Sequence, residues 1–203
     1  MNGIEELYNK DYLQGYCTNL AGRYNNVLIF NLKNKKRNFD IKQKAIDKVY
    51  TCNAETLSRD HKSFVSDNDT SFFFQNGETQ SNKFAHSGKF SCRLNSQSPY
   101  GMTVSLTNLK IGESFTISVW RKTNTSSKGG LVASSNAQNP YYNSDYKILT
   151  SSTDGWEKIG FDIFVSAELA GQELGVYVYN PDPEPVYFDD LEIVRYKSVV
   201  ETL

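Results

Sequence analysis

Short strand candidates at regular intervals constrain the fold of this chain more than any other feature. From Val49 onward, apolar segments with alternating polarity recur about every ten residues, separated by Gly, Asn, Asp, Pro and Ser. The strongest are KFSCRLN, GMTVSLT, SFTISVWRK, GGLVASS, YKILT, WEKIGFDIFV, LGVYVYN and VYFDDLEIV. This spacing predicts an all-β sandwich, and eight strands favour a jelly roll.

Residues 1–45 differ from the rest of the chain. The sequence predicts a short helix over Ile4–Leu13 and then a compact apolar strand in NNVLIFNLKN, with too little apolar material to fold alone. Within the 203 residues we therefore predict an N-terminal segment, 1–45, and a β-sandwich module, 46–203. The N-terminal segment either packs on the module or is the tail of an upstream domain.

The charge balance argues against two classes of partner. With 22 basic and 23 acidic residues the formal net charge is −1, so the chain lacks the basic excess that binds nucleic acid or an anionic membrane. We interpret the basic run LKNKKRN at 32–38 as a solvated connection. No apolar stretch is long enough for membrane insertion, and residues 1–13 show no signal-peptide pattern. We interpret the chain as a piece of a larger protein, the alternative being a cytoplasmic one.

The cysteines do not form a disulfide framework. The chain has only three, Cys17, Cys52 and Cys92, and none lies in a Cys-x-x-Cys metal motif. Cys92 shares a strand face with Phe90 and Leu94, which favours a buried, unreactive thiol. A bridge between Cys52 and Cys92 in an oxidising compartment stays open.

Period-two alternation assigns the faces of the strands. The predicted core faces carry Phe115, Ile117 and Val119, then Ile159, Phe161 and Ile163, then Val176 and Val178. The opposite faces carry Trp120, Trp156, Tyr177 and Tyr179.

The last strand candidate, VYFDDLEIVRY, contains two adjacent acids. Alternation places Asp189 on the core face with Leu191 and Ile193, and Asp190 on the solvent face with Glu192. A carboxylate taken out of water costs several kcal/mol unless it is paired. Asp189 therefore requires a partner: an Arg or Lys, backbone amides, a proton, or a hard cation such as Ca²⁺.

Catalytic motifs find little support in the sequence. His61 and His86 lie near no nucleophile pattern, and neither a G-x-S-x-G motif nor a phosphate-binding glycine loop is present. Glycosidases use two carboxylates that flank one bond, whereas Asp189 and Asp190 are predicted on opposite faces. We therefore expect that this chain is not an enzyme, although the parent protein can be one.

Five segments together resemble a known family. They are CNAE at 52–55, AHSGKFSCRL at 85–94, SFTISVWRK at 114–122, DGWEKIGFDI at 154–163 and VYFDDLEI at 186–193. Their order resembles that of carbohydrate-binding modules with a galactose-binding-domain-like jelly roll, which are attached to bacterial glycoside hydrolases and surface proteins. The resemblance covers 48–197 and implies a non-catalytic module that recognises a glycan outside the cytoplasm, at the cell surface or in the periplasm. The alternative is a structural or adhesion domain that binds a protein partner and no sugar.

The resemblance also implies a structural calcium ion. In that family the ion bridges an acid on the first strand, backbone carbonyls near the SGK turn, and the first acid of the last strand. Carried over by position, the ligands are Glu55, the turn from Ser87 to Lys89, and Asp189, with Asn53 as a further candidate. The need of Asp189 for a partner and the resemblance thus indicate the same residue.

Two locations are predicted for the sugar, because aromatic rings stack on the apolar faces of pyranose units. One is the outward sheet face with Tyr177 and Tyr179, beside Thr103 and Ser105 of GMTVSLT. The other is the loop NAQNPYYNSDY, with Tyr141, Tyr142 and Tyr146 among asparagines. Trp120 is a further candidate, for which packing beneath the N-terminal segment is the alternative.

Overall fold

Two antiparallel sheets form the body of the protein. The computed structural model describes residues 45–123, 129–137, 140–145 and 147–197, together with the backbone of two strands at 12–18 and 24–31. In chain order the strands are β1 Tyr12–Thr18, β2 Tyr24–Asn31, β3 Ile46–Cys52, β4 Ser63–Val65, β5 Phe73–Gln75, β6 Gln80–Ser81, β7 Ser91–Leu94, β8 Tyr100–Leu106, β9 Ser114–Lys122, β10 Gly130–Ser134, β11 Tyr142–Asp145, β12 Ile148–Ser151, β13 Trp156–Phe164, β14 Leu174–Tyr179 and β15 Val186–Tyr196. A 3₁₀ turn spans Gly77–Thr79.

The two sheets enclose one apolar core. The six-stranded sheet has the order β11-β10-β14-β8-β5-β4. The seven-stranded sheet has the order β12-β13-β9-β15-β7-β6. Strand β7 pairs with the first part of β15, 186–188, and β3 pairs with its later part, 191–196. This arrangement confirms the all-β sandwich of jelly-roll type.

The predicted core faces are confirmed. Of the eight predicted core residues, Phe161 is half-buried against the core and the other seven are at most 1% exposed. Each of the eight strongest strand candidates contains a strand. The short strands β4, β5, β6 and β11 were not predicted, because two to four residues are too few to show alternation.

The N-terminal segment contains a two-stranded antiparallel sheet of β1 and β2. Strand β2 confirms the strand predicted in NNVLIFNLKN. Most of the helix predicted over Ile4–Leu13 lies outside the described residues, and its end is wrong because Tyr12 and Leu13 begin β1. The basic run at 32–38 also lies outside them, and the division into 1–45 and 46–203 stays a prediction. Within the described residues, no helix has the length and apolar character needed to cross a membrane.

The two cysteines of the sandwich are free, buried thiols. Cys52 and Cys92 are both 0% exposed. Burial raises the pKa of Cys92 to about 12 and raises the pKa of Cys52 well above its usual range. Because the thiolate is the reactive form, both residues are poor nucleophiles, as predicted for Cys92. Cys17 has its side chain outside the described part of the chain.

Strand β15 contains a β-bulge at its two acids, which changes the predicted faces. Asp189 pairs with Trp120 and Glu192 with Ser118, so three steps along β15 oppose two along β9. Asp190 takes the left-handed conformation, with φ of 49°. The placement of Asp189 on the core face with Leu191 is therefore wrong.

Before the bulge, the core face of β15 is formed by other residues than predicted. Val186 and Phe188 belong to the core, whereas Tyr187 lies opposite the exposed Arg93 on the outer face. Alternation continues this pattern to Asp189, which lies on the outer face of the sheet, on the same side as its cross-strand partner Trp120.

Two glycines opposite serines offer a matched test of strand packing. A Cβ at Gly160 of β13 would overlap the carbonyl oxygen of Ile117 and lie 2.9 Å from the Cβ of Ser118. A Cβ at Gly175 of β14 would meet only the carbonyl oxygen of Ser134, at 3.5 Å. We expect Gly160→Ala to lower the free energy of unfolding by about 1 to 3 kcal/mol, and Gly175→Ala to change it by less than about 0.5 kcal/mol. Urea unfolding checks this, and equal losses in the two variants would contradict the close contact at Gly160.

Candidate functional site

The outer face of the six-stranded sheet carries a row of aromatic side chains, which we call the tyrosine face. On β14, Leu174, Val176 and Val178 are buried in the core. Alternation therefore directs Tyr177 and Tyr179 outward, and both are half-buried. This places both residues on the sheet face predicted from the sequence.

Tyr100 completes an aromatic cluster on this face. It lies directly opposite Tyr179 across the β8–β14 pair and is 48% exposed. The ring centroid of Tyr100 is 5.1 Å from that of Tyr179 and 5.6 Å from that of Tyr177. The Tyr177 hydroxyl lies 3.4 Å from the Oγ of Ser134. Tyr100 therefore joins the rings of Tyr177 and Tyr179 into one aromatic surface. Tyr100 was missed because it lies at the start of its strand, next to Pro99.

The predicted loop site belongs partly to the same face. Residues 142–145 form β11, the strand beside β10, and Tyr142 lies directly opposite Ser134. Tyr142 is 66% exposed, so it extends the tyrosine face to the sheet edge. Tyr141 instead packs against the core, and burial raises the pKa of its hydroxyl. Tyr146 lies outside the described residues. The sheet-face and loop locations are therefore not fully separate, because Tyr142 joins Tyr177 on one sheet.

The tyrosine face has no charged side chain at its described positions. Register and alternation place uncharged residues along it: Tyr142, Ser144, Gly130, Val132, Ser134, Gly175, Tyr177, Tyr179, Tyr100, Thr103, Ser105, Phe73, Gln75, Ser63 and Val65. Gly175 lies between Ser134 and Ser105 and leaves a gap beside Tyr177. The surface therefore combines aromatic rings with hydroxyl and amide groups.

Trp120 lies on the other sheet, away from the tyrosine face. Its indole stacks on the imidazole of His86, with ring centroids 4.0 Å apart and planes at 17°. Trp156 is 1% exposed and meets the same imidazole edge-on at 5.5 Å. Trp120 also lines a pocket of about 290 Å³, together with Thr51, Asn53, Asp67, Lys158, Asp190, Leu191 and Glu192. Trp156 is thus a packing residue, and Trp120 is not part of the aromatic cluster around Tyr177.

Asp189 is fully buried and finds its partners in backbone amides. Its Oδ2 accepts hydrogen bonds from the N–H groups of His86 at 2.8 Å and Ser87 at 3.2 Å, and its Oδ1 accepts one from the N–H of Asp190 at 2.8 Å. Burial, and then the neighbouring Asp190 carboxylate, raise the pKa of Asp189 to about 7, although these amides act in the opposite direction. One of the partner types anticipated from the sequence is therefore present.

Two further carboxylates hold the same stretch of chain, which we call the 86–90 segment. Asp190 contacts the Nδ1 of His86 at 2.6 Å and accepts a hydrogen bond from the Ser87 hydroxyl at 2.6 Å. From the other side, one oxygen of Glu55 accepts hydrogen bonds from the N–H groups of Lys89 and Phe90, both at 2.7 Å. Three acids therefore fix the 86–90 segment over the outer face of the seven-stranded sheet.

The residues implied for calcium lie in and around this segment, but their contacts are hydrogen bonds from backbone N–H groups to side-chain oxygens. Asn53 accepts a hydrogen bond from the Glu55 N–H at 3.1 Å, and Ser87 and Lys89 present N–H groups to the acids. A calcium ion is bound by oxygen atoms, so these N–H groups would not serve as its ligands. Within the described ranges, no three His, Cys, Asp or Glu side chains converge closely enough to hold a metal ion. The arrangement as it stands therefore does not fit a calcium cage.

Comparison with known proteins adds similarity of shape. No family model matches the chain, and no curated protein matches it. It is similar to a xylan-binding domain of Xyn10C from Paenibacillus barcinonensis, at 16% identity and a TM-score of 0.47, over 78% of this chain and 100% of the other. It is also similar to a family 22 carbohydrate-binding module of Xyn10B from Clostridium thermocellum, at 13% identity and a TM-score of 0.42, over 60% of this chain and 82% of the other.

A third similar structure is a cyclase from Fischerella sp. TAU, at 16% identity and a TM-score of 0.41, over 79% of this chain and 89% of the other. At these identities and TM-scores the similarity concerns shape alone. Its strands and surface define a β-sandwich module with one uncharged aromatic face.

Proposed function

We propose that the chain is a non-catalytic module that binds a neutral glycan on the tyrosine face. The observation that carries this proposal is the cluster of Tyr100, Tyr177 and Tyr179 on an uncharged, hydroxyl-rich sheet face. Sugars present apolar C–H faces and a rim of hydroxyl groups, which complement tyrosine rings and Ser, Thr and Gln side chains respectively. The family resemblance of the strand segments supports the same class of ligand.

The layout of the face favours an extended glycan over a single sugar. Tyr142 and Tyr177 lie two strands apart, a spacing of roughly 10 Å across the sheet. A ligand that contacts both rings must cross β10 and therefore spans more than one sugar unit. Gly175 leaves room for such a chain to approach the backbone between Ser134 and Ser105.

The absence of charge at the described positions of this face gives the first test. We expect retention on neutral polysaccharides in affinity electrophoresis, little retention on polygalacturonate, and no salt dependence, because no ion pair contributes to binding. Preference for an anionic polysaccharide, or binding lost at high salt, would contradict a neutral ligand. No retention on any glycan would favour the adhesion alternative, in which a protein partner covers the same tyrosines.

We further propose that recognition takes place outside the cytoplasm, at a bacterial cell surface or in the periplasm, as part of a larger surface or glycan-processing protein. The family resemblance supports this setting, with a neighbouring domain of the same polypeptide as a partner. Catalysis, if the parent protein has any, is assigned to that neighbour.

We also propose that calcium acts as a structural ligand when present, held by Asp189, Glu55 and Asn53 with backbone oxygens of Ser87 and Lys89. The family resemblance suggests it, and the crowding of acids supports it. The pKa of the Asp67 carboxyl is raised, chiefly by partial desolvation and then by the negative charges of Asp190 and Glu55. The acids in this region therefore repel one another.

A cation would relieve this repulsion and cross-link the segment that follows β3 to the last strand, β15. Binding would require the 86–90 segment to turn carbonyl oxygens toward the acids in place of N–H groups. Measurements of stability with and without calcium therefore test the calcium proposal.

A further inference from the structure

The pocket beside Trp120 lies on the opposite sheet from the tyrosine face and shares no lining residue with it, although it shares Asn53 with the proposed calcium ligands. The chain has two tryptophans, and both lie on the seven-stranded sheet. Trp156 is buried, whereas Trp120 is partly exposed and lines the pocket. A part-exposed indole beside a cavity is a common element of a small-molecule site.

Cross-strand pairing brings the walls of the pocket together. Lys158 of β13 lies directly opposite Trp120 of β9. Glu192 of β15 lies between Ser118 of β9 and Thr51 of β3. The bulge in β15 adds Asp190 to the rim, so strands β3, β9, β13 and β15 and the chain at Asn53 and Asp67 define the cavity.

Charge decides which ligand this cavity suits. Its lining contains three carboxylates, on Asp67, Asp190 and Glu192, and one cation, on Lys158. Asp190 already contacts His86, while Glu192 is exposed to solvent. The remaining excess of negative charge beside an indole favours an ammonium group, which gains Coulomb attraction from the acids and a cation–π interaction from the ring. A neutral or anionic group gains neither.

We propose that this pocket binds one amino sugar unit, a pyranose that carries a free ammonium group. A volume of about 290 Å³ lies at the small end of ligand pockets, which suits a single ring. His86 covers one face of the indole, so the apolar face of the pyranose would pack on the part of the ring that borders the pocket. Thr51 already bonds Asp67 and the Asn53 oxygen accepts from the Glu55 N–H, so these two side chains offer their remaining hydrogen-bonding capacity to the sugar hydroxyl groups. A lysine side chain of a protein partner would pair with the acids but would make no use of the indole surface, Thr51 or Asn53.

Tryptophan fluorescence reports on this pocket directly, because the described tyrosine face contains no tryptophan. We expect glucosamine to change the emission of Trp120 in a saturable manner, while glucose and N-acetylglucosamine have little effect. Glu192→Gln is expected to weaken glucosamine binding about two- to fivefold, and Lys158→Gln to strengthen it by a similar factor, since each removes one solvent-accessible charge. Opposite signs in two variants on one sheet cannot come from a general loss of stability.

Four results with the unmodified protein would overturn the proposal. They are no emission change with glucosamine, an equal change with N-acetylglucosamine, an equal change with N-acetyl-lysine methylamide, and a change that calcium chloride alone reproduces. Tyr177→Ala separates the two sites: retained glucosamine binding together with lost neutral-glycan binding shows that the pocket and the tyrosine face act independently. Loss of both in that variant would contradict a separate pocket.

Discussion

Tyr177→Ala is expected to weaken the binding of a neutral oligosaccharide about 30-fold, the largest loss from any single change on the tyrosine face. Tyr177 lies on β14 between Tyr100, whose ring centroid is 5.6 Å from its own, and Ser134, whose Oγ is 3.4 Å from its hydroxyl. Its removal takes away one stacking ring and leaves the neighbouring ring of Tyr100 less restrained. Central aromatic residues of binding surfaces contribute about 2 kcal/mol or more, which corresponds to about 30-fold in Kd. Isothermal titration calorimetry with a hexasaccharide measures this change.

Matched variants separate the ring from its hydroxyl. Tyr177→Phe keeps the stacking surface and loses only the contact with Ser134, so we expect a loss of about three- to tenfold. Ile148→Ala, an exposed apolar change on β12 of the other sheet, is expected to have no effect. Binding that survives Tyr177→Ala, or that falls equally in all three variants, would show that the glycan does not lie on this face.

The sequence predicted the parts of this site that follow from local periodicity. Tyr177 and Tyr179 alternate with Val176 and Val178, and alternation alone places two of these residues in the core and two outside. The same reasoning failed at Asp189, because it assumes an uninterrupted strand. The extra residue at Asp190 carries no sequence signal that distinguishes a bulge from regular pairing, so the change of face became visible only in the structure.

Other features depend on contacts that are remote along the chain. His86 and Ser87 hold Asp189 and Asp190 across 102 to 104 residues, and no periodicity relates the two segments. Only the family resemblance had suggested that they meet. The pairing of Tyr142 with Ser134 is similar, since a four-residue edge strand in a polar stretch looks like a loop. Strand order, which joins Tyr142 to the tyrosine face, has no local signature.

Stability of the metal-free protein is expected to fall as the pH rises from about 4 to about 7. The pKa of Asp189 is raised from 3.8 to about 7 in the folded state, chiefly by burial and then by Asp190. The folded state therefore holds this proton more tightly than the unfolded state. The stabilisation is complete below the unfolded pKa, declines as the pH rises from there toward 7, and is lost above 7. A shift of about three units corresponds to an upper limit of about 4 kcal/mol. Urea unfolding as a function of pH measures this slope.

Two variants assign the slope to this pair of acids. Asp189→Asn cannot titrate, so we expect its stability to be nearly independent of pH across this window. Asp190→Asn removes the second cause of the raised pKa, so the upper end of the window should move to lower pH. A wild-type slope that persists in Asp189→Asn would assign the effect to another group.

Calcium reverses the sign of this dependence, which makes the pH profile a test of the metal as well. A bound cation favours the ionised carboxylate, whereas burial alone favours the protonated one. At 100 times its Kd, a ligand specific for the folded state stabilises it by about 2.7 kcal/mol. If calcium binds at the proposed residues, its addition at pH 7.5 raises the Tm and removes the loss of stability near neutral pH. The variants Asp189→Asn and Glu55→Gln then abolish both effects of calcium. If calcium and a chelator leave the profile unchanged, Asp189 and Glu55 act through the backbone amides of the 86–90 segment alone, and the calcium proposal fails while the tyrosine face is unaffected.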